Sequence, residues 1–362
     1  MKAAYTQSTP RFAQTRYHMP DAEALAADGQ DQQTAWQERP TSLREIRDVV
    51  SDELKIFRRY FRESVRSDVG LLDKITQYVL RQKGKEIRPT LVLLSAKLCG
   101  GIQESTYRAA ALVELMHTAT LVHDDVVDMA DRRRGVFSIN ALWKNKVAVL
   151  FGDFLLSRGL LLSLEYHDYK LLHVLSDAVR RMSEGELLQI EKSRHLDIDE
   201  ATYFRIISDK TASLIAACTA CGAVSATSDE EIIDRLGQIG ERLGLAFQIR
   251  DDLFDFGVED VGKPIGIDLQ EKKMTLPLIH ALREASGKDR RRILAIVRKQ
   301  KKSRDDVREV ARFVEEHGGI AYTRSKMHEY ADEARRLLEA FPPTTPRDAL
   351  LDLVAYTVSR SK

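Results

Sequence analysis

Residues 117–135 read HTATLVHDDVVDMADRRRG and place Asp124, Asp125 and Asp128 at the end of an apolar helical segment. Helical periodicity over residues 105–122 precedes them, so Asp124 and Asp128 are expected one turn apart on the same helix face. Like charges at this spacing repel each other, and a divalent cation with oxygen ligands relieves that repulsion. Asp124, Asp125 and Asp128 are therefore candidate metal ligands.

A second stretch repeats this pattern further along the chain. Residues 244–257 read GLAFQIRDDLFDFG, in which Asp251, Asp252 and Asp255 again follow an apolar helical segment. Magnesium binds carboxylates together with phosphate oxygens and retained water. A pair of such clusters therefore indicates a phosphorylated ligand that metal bridges to the protein. We expect the two helices to present their acidic faces to each other.

Apolar residues recur at helical spacing almost without pause from residue 42 onward, for example over residues 232–247. Alternating strand patterns are scarce, and the breaks between periodic segments are short. The pattern predicts an all-α protein that forms one large helical bundle over residues 41–362, with some helices wholly buried. Residues 1–40 are predicted to be a disordered N-terminal extension.

The composition excludes several classes of protein. Lys and Arg total 56 and Asp and Glu total 55, so a net charge of +1 gives no argument for a nucleic-acid partner. Three cysteines are too few for a disulfide framework and indicate a reducing, cytoplasmic location. Cys218 and Cys221 form a CxxC in a run of small residues, which favours helix packing over zinc or redox use. Residues 147–164 are interrupted by polar residues, so no transmembrane segment is predicted.

Basic residues bracket both acidic clusters. Lys85 and Arg88 stand in GKEIRP, just before a helix predicted to begin at Pro89, and the free backbone donors of a helix start favour an anion. Any one of these cations alone is typical of a solvated surface. Together they indicate diphosphate ligands, which Arg in particular binds with paired donors. The further candidates are Arg132, Arg133 and Arg134 after the first cluster, Lys210 with Thr211, and Lys263 and Lys273 after the second cluster.

Two histidines, His117 and His123, lie on the helix of the first cluster. Such a residue is more often a satisfied helix histidine than a metal ligand. The adjacent pair His123 and Asp124 also permits a metal phosphohydrolase of the HD type. That class requires further His and Asp ligands and would leave the second acidic cluster without a role.

Seven motifs in order resemble those of the trans-isoprenyl diphosphate (polyprenyl) synthases over residues 43–360. They are GKEIRP, HTATLVHDDVVDMADRRRG, FGDFLL, EGELLQ, DKTASL, GLAFQIRDDLFDFG and GKPIGIDLQEKKMTLP. The resemblance implies the isoprenoid synthase fold, with helices around a deep central cavity, and a catalytic domain spanning residues 41–362. It also implies a homodimer and a site that uses three magnesium ions.

The resemblance assigns roles to residues at matching positions. The acids expected to hold or support magnesium are Asp124, Asp125, Asp128, Asp251, Asp252 and Asp255, with Asp252 acting indirectly. The allylic diphosphate is expected to contact Arg133, Lys210, Thr211, Gln248, Lys263 and Lys273, and isopentenyl diphosphate to contact Lys85, Arg88, His117 and Arg134. Catalysis is assigned to Lys210 with Asp124, Asp125, Asp128 and Asp251, and Gln189 of EGELLQ is expected to face the cavity. Lys272 stands where the family usually has Gly, which leaves open whether Lys272 or Lys273 faces the ligand.

The implied reaction joins isopentenyl diphosphate to an allylic diphosphate, head to tail, in all-trans geometry. Residues one and two turns before Asp124 are expected to form the floor of the product tunnel, namely Thr120, Ala119 and Met116. The first two are small, so we expect a product longer than geranylgeranyl, such as a quinone side-chain precursor, released with peripheral membrane contact. A geranylgeranyl product stays an alternative because Met116 can act as a partial floor. A class I terpene cyclase and a noncatalytic regulatory subunit are the remaining alternatives.

Overall fold

The structure is a computed structural model that describes residues 42–82, 84–133, 135–196, 198–257 and 266–360. Within these ranges the chain is a bundle of helices with one very small sheet, so the all-α prediction is confirmed. The predicted disordered extension over residues 1–40 lies outside the described residues. Two candidate site residues, Arg134 and Lys263, also lie outside them.

The helices follow one another with short connections. In chain order they are α1 (Leu43–Asp48), α2 (Ser51–Ser64), α3 (Gly70–Arg81), α4 (Ile87–Cys99), α5 (Glu104–Val127), α6 (Ile139–Glu165), α7 (Tyr169–His195), α8 (Glu200–Ile207), α9 (Ser213–Ala226), α10 (Glu230–Phe254), α11 (Ile267–Gln270), α12 (Leu276–Glu284), α13 (Gly287–Arg298), α14 (Arg304–Glu316), α15 (Gly319–Glu339) and α16 (Thr345–Ser359). A π-helical turn, Ser208–Ala212, joins α8 to α9.

The centre of the bundle contains helices that are buried on nearly every side. Residues 91–96 of α4 and most of α9 are shielded from solvent. Because α9 consists largely of small residues, its neighbours approach closely, and a Cβ at Gly222 would lie 2.4 Å from the carbonyl oxygen of Val92. Cys218 and Cys221 are free and fully buried in this helix, and burial raises the pKa of Cys218 to about 12. The CxxC therefore serves packing, as its sequence context indicates.

Helix α10 also packs closely on the π-helical turn and on α9. A Cβ at Gly240 would lie 2.2 Å from Oγ1 of Thr219, and one at Gly244 would lie 2.6 Å from Cα of Ala212. Only glycine permits this approach, because a methyl group would overlap the facing residue. The two glycines therefore bring the acidic end of α10 beside residues 208–212.

A small hairpin follows the first acidic cluster, in a stretch without an alternating strand pattern. β1 (Arg132–Arg133) pairs antiparallel with β2 (Val136–Phe137). The hairpin is closed at its base because the Ser138 hydroxyl donates to the carbonyl of Ala130 at 2.5 Å and the Ser138 amide donates to Asp131 at 3.0 Å. These bonds turn the chain back and place Arg133 beside the cluster.

Helix α6 has an apolar outer face. Leu150 is 56% exposed and Leu161 is 46% exposed, and the two lie three turns apart on the same side. Among the described helices, α6 is the one that is long and apolar enough to cross a membrane by length and composition. The inner face of α6 is buried, since 39% of its most apolar 18-residue stretch is shielded from solvent. A buried inner face is also typical of a core helix.

Candidate active site

Both acidic clusters lie at the same place on their helices. In each, two aspartates occupy the last turn and the third is the C-cap residue. The last turn of neither helix contains a basic residue. A helix C-terminus carries a partial negative charge, so three carboxylates there repel both the helix dipole and one another. The arrangement therefore favours the binding of cations. The residues are Asp124, Asp125 and C-cap Asp128 on α5, and Asp251, Asp252 and C-cap Asp255 on α10.

The first cluster divides into exposed and buried acids. Asp124 and Asp128 are exposed, whereas Asp125 is only 5% exposed. Arg133 of the hairpin donates from Nε to Oδ1 of Asp125 at 2.5 Å, so the buried carboxylate is paired with a cation. Partial burial raises the pKa of Asp124, and the charges of Glu186 and Asp128 raise it further. Asp124 and Asp128 are therefore the carboxylates of this helix that solvent and ligands can reach.

In the second cluster Asp252 is held by two hydrogen bonds. The Tyr203 hydroxyl donates to Oδ2 at 2.7 Å, and Gln248 Nε2 donates to Oδ1 at 2.8 Å. Gln248 in turn accepts a hydrogen bond of 3.0 Å from the hydroxyl of Thr211. Burial raises the pKa of Asp252 to about 8, helped by the nearby Asp268 carboxylate. Because both oxygens already accept hydrogen bonds, the geometry favours an indirect role for Asp252.

Asp255 connects α10 to α11. Its Oδ1 accepts hydrogen bonds from the backbone amides of Ile267, at 2.7 Å, and Asp268, at 3.3 Å. Its Oδ2 is buried and has no hydrogen-bond partner among the described residues. Burial raises the pKa of Asp255 to about 6, and the Asp268 carboxylate adds to this effect. Asp255 therefore offers one carboxylate oxygen that lacks a donor.

An ion pair between Glu186 and Lys210 lies close to Asp124 of the first cluster. Lys210 also donates to Oε1 of Gln189 at 3.2 Å. Burial raises the pKa of Asp124, and the charge of Glu186 raises it further; the same charge also helps to raise the pKa of Lys273 against the opposing effect of burial, so Glu186 is close to both residues. Helix α7 approaches Lys210 closely because Gly185 has no side chain. A Cβ at this position would lie only 2.8 Å from the backbone nitrogen of Lys210. The EGELLQ motif thus places an acid and an amide beside Lys210.

The structure also separates Lys272 from Lys273. Lys273 Nζ lies 2.5 Å from a carboxylate oxygen of Glu271 and 3.6 Å from one of Asp268. Burial lowers the pKa of Lys302, and the charge of Lys272 lowers it further, so these two lysines are neighbours. Lys272 has φ +59°, a left-handed conformation that suits glycine. This explains a preference for Gly at that position and leaves Lys273 as the lysine beside the acids.

The GKEIRP segment is fixed by its acid. Glu86 adopts a left-handed conformation, and its carboxylate accepts two hydrogen bonds of 2.7 Å from Arg58 and one of 2.5 Å from Arg47. Lys85 beside it is exposed and Arg88 is half-buried. These bonds anchor the Glu86 side chain at the start of α4. The third described residue assigned to isopentenyl diphosphate, His117, is 7% exposed on α5.

His123 has a packing role. Its Nε2 donates to the carbonyl of Val149 at 3.2 Å, and a Cβ at Gly152 would lie 2.2 Å from that nitrogen. Within the described residues, no group of three or more His, Cys, Asp or Glu side chains converges to hold a metal by itself. The phosphohydrolase alternative needs such a group, whereas magnesium at a diphosphate takes part of its ligands from phosphate and water.

Several residues that surround the site had no signal in the sequence. Arg181 donates to Asp209 at 2.8 Å, to Ser208 at 2.9 Å and to Glu241 at 3.2 Å, which ties the π-helical turn to α7 and α10. Tyr203 is 3% exposed and lies 49 positions before its partner Asp252. Glu186 falls inside a quoted motif, but periodicity alone does not distinguish it from its neighbours.

Comparison with known proteins identifies the family. A family model described as polyprenyl synthetase matches residues 69–314. Octaprenyl diphosphate synthase of Escherichia coli (strain K12) is 35% identical over 323 residues, covering 89% of this chain and 100% of that protein. A solved decaprenyl diphosphate synthase from Rhodobacter capsulatus superposes with a TM-score of 0.84 at 33% identity, covering 89% of this chain and 100% of that chain.

A second solved structure contains a ligand and a metal. The polyprenyl synthase from Caulobacter crescentus CB15, complexed with calcium and isoprenyl diphosphate, superposes with a TM-score of 0.82 at 33% identity. It covers 90% of this chain and 100% of that chain. The fold, the two acidic clusters and these relatives agree with one another. The chain therefore belongs to the polyprenyl synthetase family and is a prenyltransferase with the isoprenoid synthase fold, as its motifs predict.

Proposed function

We propose that this enzyme extends an allylic diphosphate with isopentenyl diphosphate to give an all-trans polyprenyl diphosphate longer than geranylgeranyl. The observation that carries the proposal is the pair of carboxylate clusters at two helix C-termini, with the Lys210–Glu186 ion pair close to Asp124 of the first cluster. Such a site binds a ligand that is itself highly charged. A product of this length serves as a precursor of a quinone side chain, and the proposed location is the cytoplasm, supported by the free cysteines.

The carboxylates fit magnesium. Asp255 has a buried Oδ2 without a donor among the described residues, and the pKa values of Asp124, Asp252 and Asp255 are raised because burial and neighbouring acids disfavour their charge. A bound cation offsets both the cost of burying these charges and the repulsion between neighbouring acids. Magnesium, proposed as three ions, would be held by Asp124, Asp128, Asp251 and Asp255, with Asp125 and Asp252 in support. When bound, it neutralises negative charge that grows on the departing diphosphate.

The cations of the chain would bind the allylic diphosphate at the same place. Lys210, Lys273 and Arg133 would donate to its phosphate oxygens, and the Thr211 and Gln248 side chains already form a hydrogen-bonded pair beside Lys210. Fixed cations stabilise the leaving diphosphate as the allylic C–O bond ionises, and they need no rearrangement at that moment. Lys263 is assigned to the same task from the sequence alone, and Arg134 is assigned in the same way to isopentenyl diphosphate.

Isopentenyl diphosphate would bind at the start of α4. Lys85 and Arg88 stand on either side of Glu86, whose carboxylate is anchored by Arg58, and His117 on α5 would add a third polar contact. The double bond of isopentenyl diphosphate then attacks the allylic cation, and loss of a proton to the departed diphosphate completes one extension. A terpene cyclase needs no second diphosphate site, so Lys85 and Arg88 favour chain extension.

We also propose that two copies of the chain form a homodimer through the exposed face of α6. Leucine and valine side chains recur along this face at helical spacing, with the exposed Lys146 and Asp153 among them, and a group of large exposed apolar side chains is typical of a protein interface. The exposed residues are Leu142, Val149, Leu150, Leu160, Leu161 and Leu164.

Peripheral contact with a membrane is supported by the charge of α13 and the loop after it. Residues 287–304 contain nine basic residues and one acid, in a chain whose net charge is +1. Lys288, Arg291, Arg298 and Lys301 are exposed in this segment, which we name the basic segment. Anionic lipid headgroups attract such a surface. Contact with a membrane would let the long apolar product pass from the enzyme directly into the lipid.

The decisive experiment is incubation of the purified protein with isopentenyl diphosphate and farnesyl diphosphate, with and without magnesium, followed by chromatography of the dephosphorylated products. We expect magnesium-dependent chains longer than twenty carbons. A single twenty-carbon product would favour the geranylgeranyl alternative. A cyclised hydrocarbon would favour the terpene cyclase, and no elongation with any allylic starter would favour the regulatory subunit.

A further inference from the structure

Arg360, the C-cap residue of α16, lies against the second acidic cluster. Its guanidinium donates from one terminal nitrogen to Oδ1 of Asp251 at 2.5 Å and to the carbonyl of Phe247 at 3.3 Å. The Arg360 side chain is 8% exposed, whereas that of Asp251 is 35% exposed. A nearly buried arginine thus holds one oxygen of a candidate metal ligand while the carboxylate stays accessible.

The position of Arg360 is fixed from several directions. Its guanidinium lies 4.0 Å from the ring centroid of Phe247 and 5.6 Å from that of Phe254, which flank Asp251 on α10. The carbonyl of Arg360 accepts hydrogen bonds of 2.9 Å and 3.3 Å from Arg250. Stacking on two rings and a bound backbone leave the guanidinium little freedom.

We propose that Arg360 is a positioning residue that orients Asp251 for metal binding. By binding Oδ1 it selects one rotamer of the carboxylate and leaves Oδ2 for a cation. Partners that orient a metal ligand in this way are a general feature of metal sites. This inference rests on the proposed function, since it takes Asp251 to be a magnesium ligand.

A purely structural role predicts a different result. If Arg360 served only to attach the end of α16, its loss would lower thermal stability and leave the metal affinity of the folded protein unchanged. If it orients Asp251, its loss weakens metal binding in protein that is still folded. Arg347 provides a matched control, because it stands near the other end of α16 and pairs there with Asp348 at 2.9 Å and the carbonyl of Phe341 at 3.2 Å.

The test measures binding of Mn²⁺ to the full chain by electron paramagnetic resonance in the presence of inorganic pyrophosphate. For Arg360→Gln we expect the half-saturating Mn²⁺ concentration to rise about tenfold or more. Arg360→Lys keeps a donor and should recover part of the affinity. Arg347→Gln should bind Mn²⁺ like the wild type. Circular dichroism melting in EDTA establishes that each variant is folded, and Arg360→Lys carries the test if Arg360→Gln is not.

Three outcomes would overturn the inference. They are an Mn²⁺ affinity of Arg360→Gln within about twofold of wild type, a tighter affinity, or an equal loss in Arg347→Gln. Failure of the proposed function is recognised separately, because the wild type would then show no magnesium-dependent elongation. If the wild type elongates and Arg360→Gln binds Mn²⁺ normally, only the role of Arg360 is wrong.

Discussion

Tyr203 donates a 2.7 Å hydrogen bond to Oδ2 of Asp252, and both side chains are 3% exposed. The carboxylate is therefore buried beside a neutral donor. The charges that act on it are those of two other acids, Asp268 and Asp251, and both raise its pKa. Burial raises its pKa from 3.8 to about 8. Folding without metal thus favours the protonated acid, although the proposed role beside magnesium calls for a carboxylate.

This conflict predicts how Asp252 affects stability. A carboxyl group whose pKa is raised in the folded state stabilises the fold below pH 3.8, and this contribution is lost as pH rises toward 8. In EDTA, Asp252→Asn should therefore be more stable than the wild type, by a margin that grows between pH 5 and pH 8. Urea unfolding at several pH values measures this margin.

The slope of that margin has an upper limit of about 1.4 kcal/mol per pH unit for one group. Tyr203→Phe is the companion variant, because it removes the donor without changing charge and should destabilise the protein. A margin that is constant with pH would show that Asp252 is ionised in the metal-free fold.

The ion pair of Lys210 with Glu186 predicts a strong effect on turnover. Lys210→Gln should lower kcat about 100-fold or more, because it removes a fixed cation from the site of the leaving diphosphate. Glu186→Gln should have a smaller effect, since it removes the partner and keeps the cation. Steady-state kinetics with farnesyl diphosphate at saturating magnesium measure both.

A second lysine–glutamate ion pair that includes a residue of α7 provides the control for that experiment. Lys170 at the start of α7 pairs with Glu230 at the start of α10, at 2.5 Å, and both side chains are largely exposed. Lys170→Gln removes a lysine ion pair without touching the acidic clusters, so its kcat should match the wild type. Equal losses in Lys170→Gln and Lys210→Gln would mean that general stability causes the effect.

The sequence predicted the elements of the site whose residues are close together along the chain. Spacing of three and four residues placed Asp124 with Asp128, and the structure indeed has them in the final turn and at the C-cap. The preference of the family for glycine at the position of Lys272 also has a local cause, because the backbone there is left-handed.

Contacts between distant parts of the chain could not be predicted from spacing. Arg360 lies 109 positions from Asp251, and Tyr203 lies 49 positions from Asp252. No periodicity connects such pairs, because they meet only when whole helices pack. The β1–β2 hairpin was missed for a related reason, since two-residue strands are too short to show alternation.

The exposed face of α6 predicts a dimer that charge can disrupt. Leu150→Glu combined with Leu161→Glu places two carboxylates on this face, and burying them at an interface without partners is costly. Sedimentation velocity should show a dimer for the wild type and a monomer for the double variant. Leu71→Glu on α3 changes a residue that is also 46% exposed and should stay dimeric. A wild-type monomer would contradict the prediction outright.

The basic segment predicts binding to anionic vesicles. Co-sedimentation with vesicles that contain phosphatidylglycerol should retain the wild type at low salt, and vesicles of phosphatidylcholine alone should not. Substituting Arg291, Arg298 and Lys301 by Gln should abolish retention, since each basic residue contributes about 1 kcal/mol.

The control for vesicle binding removes the same number of positive charges from a different part of the surface. Arg59, Arg62 and Arg66 are exposed residues in and just after α2. Their replacement by Gln lowers the net charge equally and should leave retention unchanged. Equal loss in both triple variants would assign binding to overall charge and not to the basic segment. Retention by nucleic acid in place of vesicles would point to a different partner.

The product length is predicted to depend on the side chains one turn before Asp124. Ala119 is fully buried in an apolar cluster with residues of α6 such as Phe151 and Leu155, whereas Thr120 is partly exposed and donates to the carbonyl of His117 at 2.9 Å. A phenylalanine at either position would narrow a tunnel that follows α5. Both Ala119→Phe and Thr120→Phe should therefore shorten the product, which radiolabelled isopentenyl diphosphate and chromatography would measure.

Stability separates the two variants. Ala119→Phe must displace packed neighbours, an overpacking that costs about 1–3 kcal/mol, and so its melting temperature should fall. Thr120→Phe enters a less crowded position and should change the product with a smaller loss of stability. If Thr120→Phe is folded and gives an unchanged product profile, the tunnel does not follow this side of α5. If only Ala119→Phe shortens the product, the tunnel passes through the α5–α6 cluster, and Thr120 lies outside it.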